Sequence, residues 1–113
     1  MSRSGVLILA IAMLAPNLAF AEERWTFCVA RDLDGGAVWL SNVFATSVDH
    51  DDLEAAFKAY VVRFGARRLT AQCPLPKSDH TDVVNDQFGA EEFNKESGSK
   101  VHLIAAGDFP PRR

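Results

Sequence analysis

Cysteine is scarce in this chain, with two among 113 residues, and neither belongs to a Cys-x-x-Cys pair. A thiol redox centre of that kind is therefore excluded. Basic charge is also short: 12 Lys and Arg stand against 15 Asp and Glu, for a formal net charge of −3. Proteins that coat nucleic acid, or lie on anionic membranes, carry a basic excess, so both classes are excluded. No Gly-rich phosphate loop, G-x-S-x-G elbow or H-E-x-x-H helix occurs. The fingerprints of nucleotide enzymes, serine hydrolases and zinc peptidases are thus missing. Ser41, Ser47 and Ser78 lie in no nucleophile elbow. Low-complexity tracts and interdomain linkers are missing too. The length suits one domain, and a 48% hydrophobic composition excludes wholesale disorder.

The N-terminus reads as an export signal. Arg3 supplies positive charge, Val6 to Leu14 is an apolar run of nine, and Pro16 ends it. A bilayer span needs about 20 apolar residues, so this run is too short to be one. Ala19-Phe20-Ala21 is the small-x-small pattern of a cleavage site. The reading is a cleaved signal peptide over 1–21, a single α+β domain over 22–106 and a flexible C-terminal tail over 107–113. The location is periplasmic or secreted, with no stable membrane span after cleavage.

Export places the cysteines where thiols oxidise, and Cys28–Cys73 is the one intrachain pairing available. In the chain-entropy model a loop of that length is worth about 4 kcal/mol.

Arg24 to Ala30 alternates, with Trp25, Phe27 and Val29 on one face and Thr26, Cys28 and Ala30 on the other. That is strand periodicity. Asp32-Leu33-Asp34-Gly35-Gly36 is a turn, and Ala37 to Phe44 is a second strand forming a hairpin with the first. Leu53, Ala56, Phe57, Tyr60, Val61 and Phe64 fall at helical spacing. Asp49 is the expected N-cap of that helix and Gly65 its expected end. Arg68 to Cys73 predicts a third strand, stopped by Pro74 and Pro76. A weaker helix, bent or broken near Gly89, follows from about Thr81 to Ser97, and Lys100 to Ala106 predicts the last strand. The order β-β-α-β-α-β predicts one mixed sheet with helices packed on a face and one disulfide. Right-handed connections set the first strand beside the third, so the bridge should staple the N-terminal strand to the centre of the sheet.

Two segments read D-H-x-D: Asp49 to Asp52 and Asp79 to Asp82. If both helix starts met, Asp49, His50, Asp79 and His80 would offer nitrogen and oxygen ligands to a metal. The plainer reading is that aspartates cap helices and favour the positive end of the macrodipole. No cofactor is expected. Arg31, Arg63, Arg67 and Arg68 read as a solvated face. His102 reads as an edge-strand histidine on the side of Ile104.

Both faces of the first hairpin are apolar. If Val38, Leu40 and Phe44 face the core, Trp39 and Val43 point the other way. An exposed patch of Trp39, Val43 and Trp25 would then be a partner site. The alternative is that both faces are covered. The functional expectation is a non-enzymatic binding module of inhibitor, immunity or accessory type. Its partner would be another protein or an envelope component, not nucleic acid. The alternatives are a metal-binding protein or metal-dependent hydrolase using the two D-H-x-D segments, and a structural or oligomerising envelope protein.

Overall fold

The expected hairpin forms, but a β-bulge divides it between two sheets. The computed structural model describes residues 23–111, so the signal-peptide reading of 1–21 lies outside the described residues. The hairpin comprises four short strands: β1 (Arg24–Thr26), β2 (Val29–Asp32), β3 (Ala37–Ser41) and β4 (Phe44–Thr46). Thr26 faces Phe44 and Val29 faces Leu40, both in antiparallel pairs. Phe27 and Cys28 on one side therefore oppose Ser41, Asn42 and Val43 on the other, one extra residue. The Cys28 amide donates to Ser41 Oγ at 2.8 Å, and the Ser41 amide donates to the Cys28 carbonyl at 2.9 Å. This pair closes the ladder where the chain leaves one sheet for the other.

One inserted residue reverses every side chain beyond it, because strand periodicity is two. Phe44 lands with Trp39, and Val43 lands with Phe27 and Leu40. The opposite assignment was expected from unbroken alternation. The first strand carries no insertion, and there the expected faces hold: Trp25, Phe27 and Val29 share one cluster, Cys28 and Ala30 the other.

The remaining elements are α1 (His50–Val61) with a 3₁₀ turn over Val62–Phe64, β5 (Leu69–Gln72), α2 (His80–Glu96) and β6 (Lys100–Ile104). The main sheet runs β5-β2-β3-β6, with β6 parallel to β3 and the other pairs antiparallel. β1 and β4 form a separate two-stranded ribbon. The expected α+β domain with a mixed sheet and one disulfide is thus present, but the bulge splits off the ribbon as a second sheet and the helices do not share a face. Its helices take opposite faces of the main sheet.

Cys28 and Cys73 are bonded, both almost fully buried. They continue the β2–β5 register one step past the Val29–Gln72 pair. The first strand does lie beside the third, but β5 is an edge, so the bridge ties an edge strand to an inner one. The Glu54 carboxylate on α1 accepts the Cys73 amide at 3.0 Å, joining helix to bridge.

α1 buries Leu53, Phe57 and Val61, a spine spaced at every fourth residue, against Cys28, Ala30, Trp39 and Ile104. Gly65 ends the following turn at φ 95°, where a side chain would be strained. Phe109 completes this core. It is 5% exposed, with its ring 4.9 Å from that of Phe57 and 6.0 Å from that of Phe44. Residues 107–111 therefore fold back over the α1 face. The flexible tail expected over 107–113 is thus docked as far as Pro111, because Phe109, the one large apolar side chain between Gly107 and the prolines, is buried.

α2 is one unbroken helix of 17 residues, although a bend near Gly89 was expected. A side chain at Gly89 would meet nothing within 4 Å, so no packing constraint accounts for that glycine. The helix buries only Val83 and Asn94. Ala90 packs at the edge of the same cluster and the His80 ring meets Trp25, and polar contacts add to these. Gln87 Nε2 donates to the Ser41 carbonyl at 3.1 Å, and Arg31 donates to Asn94 Oδ1 at 3.2 Å. Asn94 also donates to the Ala90 carbonyl at 2.7 Å, so its buried amide is satisfied at both ends.

Candidate functional site

Trp39 sits in the middle of β3 and projects toward α1. In register with it on the parallel strand β6 is His102, whose ring stacks at 5.6 Å and 22°. The 3₁₀ turn after α1 brings Phe64 over the same indole, with centroids 6.3 Å apart and planes 11° apart. Tyr60, one helical turn earlier, meets Phe64 edge-on at 5.5 Å. These four rings come from β3, β6, α1 and the 3₁₀ turn, and the apolar stripe that builds α1 and runs on into the turn delivers two of them.

The result is a small surface recess of about 270 Å³. Trp39, Tyr60, Phe64 and His102 line it, with Leu103 on the rim and Asp108 as its one carboxylate. Lysine and arginine are missing from this lining. The rim is apolar and accessible: Phe64 is 53% and Leu103 is 56% exposed. Arg63 lies outside the lining, with its guanidinium 5.1 Å from the Tyr60 ring centre.

The expected patch of Trp39, Val43 and Trp25 does not assemble. Trp39 is only 7% exposed and belongs to the α1-side core. Trp25 and Val43 pack on the other side, with Phe27 and Leu40. The bulge separates Val43 from Trp39, and strand alternation separates Trp25. Trp25 is instead half-buried, with the His80 ring edge-on at 4.4 Å. Trp39 is therefore a core residue that forms part of the recess wall. Phe64 and His102 were legible only in part. Phe64 ends the helical stripe, but its exposure follows from the 3₁₀ turn, which rotates it off the buried spine.

The two D-H-x-D segments stay apart. Asp49, His50 and Asp51 offer ligand atoms within 4.8 Å of one another, while Asp79 and His80 are not part of that group. Each aspartate has a local task. Asp49 accepts the Asp51 amide at 3.2 Å, and Asp79 accepts the amides of Thr81 and Asp82 at 3.0 and 3.3 Å. These are N-cap bonds on helices that lie on opposite faces of the sheet. His50 Nε2 lies 3.3 Å from the Asp51 carboxylate in the exposed first turn of α1.

Two surface lysines are shifted by carboxylate partners. Hydrogen bonding to Asp86 at 2.7 Å, with the charge attraction that accompanies it, holds Lys77 above the usual lysine range. Glu91 does the same for Lys95, one helical turn away.

No family model matches the chain, and comparison with curated proteins and with solved structures gives no match either. No helix among the described residues is long and apolar enough to cross a membrane. A disulfide in a small domain without such a helix is compatible with export.

Proposed function

We propose that this chain is an exported, disulfide-stapled binding module without catalytic activity, and that the Trp39 recess is its contact surface. The observation that carries this reading is the gathering of exposed Phe64 and Leu103 around a recess walled by Trp39 and Tyr60. Exposed apolar side chains scattered singly need no explanation, but several converging on a concavity mark a contact site. Buried aromatic walls add rigidity, so little side-chain entropy is lost on binding. The partner is another protein or a component of the cell envelope, consistent with an inhibitor, immunity or accessory role.

Affinity capture tests this. The oxidised protein, produced by export, is immobilised and exposed to envelope and culture-fluid extracts, with Phe64→Asp as the control surface. Phe64 is half exposed, so this variant should keep the fold. A stoichiometric component retained by the parent and lost from Phe64→Asp supports the reading. A component retained equally by both refutes the assignment of the surface.

A second reading, self-association, draws on α2, where Val84 and Phe88, one turn apart on one face, are 40% and 59% exposed. Light scattering at increasing concentration decides it. A strict monomer rules it out.

A further inference from the structure

We infer that the Trp39 recess takes an alkylammonium group, and this inference rests on the reading of that recess as the contact surface. Four ring types meet there: an indole, a phenol, a phenyl and the His102 imidazole, which stacks on the indole. The Phe64 ring runs nearly parallel to Trp39, and Tyr60 stands at 78° to Phe64. Walls in two orientations form a corner that can surround a compact group. Aromatic faces carry negative quadrupole potential and attract cations; the ring most open to a ligand is Phe64, 53% exposed, with the buried Trp39 behind it.

Asp108 decides the sign of the ligand. It is the one carboxylate of the lining, in a turn whose amide bonds back to the Ala105 carbonyl at 3.1 Å. An anion would be repelled by that carboxylate and by the ring faces together. A neutral apolar group gains nothing from the carboxylate. A cation with a methylated or alkyl shell uses both parts of the site: the rings take the shell and Asp108 takes the charge. The Arg63 guanidinium already lies 5.1 Å from the Tyr60 ring centre, so that ring holds a cation from within the chain, and a ligand is left the Phe64 side of the recess. A recess near 270 Å³ suits a single head group better than an extended ligand.

The test is an NMR titration of the exported, oxidised, ¹⁵N-labelled protein. Tetramethylammonium chloride is the cationic ligand, tert-butanol its neutral counterpart of similar shape, and ionic strength is held constant with sodium chloride. Tetramethylammonium should move the Trp39 indole N–H and the His102 amide in a saturable way, while tert-butanol leaves both in place. Asp108→Asn and Phe64→Leu should each weaken the cation by about two- to fivefold with the dispersion of the spectrum unchanged. Equal binding of tert-butanol would overturn the cation inference and leave the recess standing as an apolar contact surface. No movement of either signal with either ligand would also overturn it, and the Phe64→Asp capture would then judge the contact surface separately. Saturable binding that Asp108→Asn leaves unchanged would overturn the role given to the carboxylate.

Discussion

On one face of the main sheet, α1 sets Leu53, Phe57 and Val61 against Ala30, Trp39 and the disulfide, and Phe109 closes over them. On the other face, α2 contributes Val83 and the edge of Ala90 to a small cluster with Phe27 and Leu40, sets His80 against Trp25, and is further held by polar bonds of Gln87, Asn94 and Asp86. Apolar burial scales with area, whereas a net hydrogen bond is worth about 1 kcal/mol. The α1 face is therefore the stable half, and the recess is built from that half. A binding site on rigid elements keeps its geometry, which is what a preorganised contact surface requires.

The contrast can be broken by single changes. The largest effect belongs to Phe57→Ala, which empties the centre of the α1 face and should cost about 3–5 kcal/mol in urea unfolding. Removing the bridge with Cys28→Ala and Cys73→Ala together should cost about 4 kcal/mol by loop entropy, read from the same curves. Val83→Ala on the α2 face should cost about 2 kcal/mol, clearly less than Phe57→Ala. Equal losses at the two positions would erase the distinction between the faces.

The smallest effect is the Lys77–Asp86 pair, half exposed and linking α2 to the segment after β5. The folded state raises the Lys77 pKa, so the pair contributes below the ordinary lysine value. The contribution is lost as pH climbs through the raised value. Melting followed from neutral to strongly alkaline pH should show a slight extra fall in the parent that Asp86→Asn lacks. Surface pairs are screened, so the same difference should shrink in high salt.

The two helices also differ in how far the amino-acid order announced them. Leu53, Phe57 and Val61 repeat at four residues between Asp49 and Gly65, so stripe, cap and stop all agree for α1. For α2 the apolar residues Val84, Phe88 and Phe93 have no common face, and the structure leaves all three exposed. Its docking relies on polar groups that no periodicity marks. The bulge at Asn42–Val43 was equally silent. A one-residue insertion leaves composition and alternation looking intact, yet it moves Phe44 and Val43 to opposite sides. The recess inherits that difficulty. Trp39 was visible as a candidate, but its neighbours Tyr60, Phe64, His102 and Asp108 come from distant segments that only the tertiary fold brings together.

Amide hydrogen exchange, compared between the free protein and the protein with its captured component bound, addresses the central claim most directly. The account predicts new protection at residues 60–64 and 101–108, the segments around Trp39, with α2 unchanged. Protection confined to α2 around Val84 and Phe88 would contradict it and move the contact surface to the opposite face.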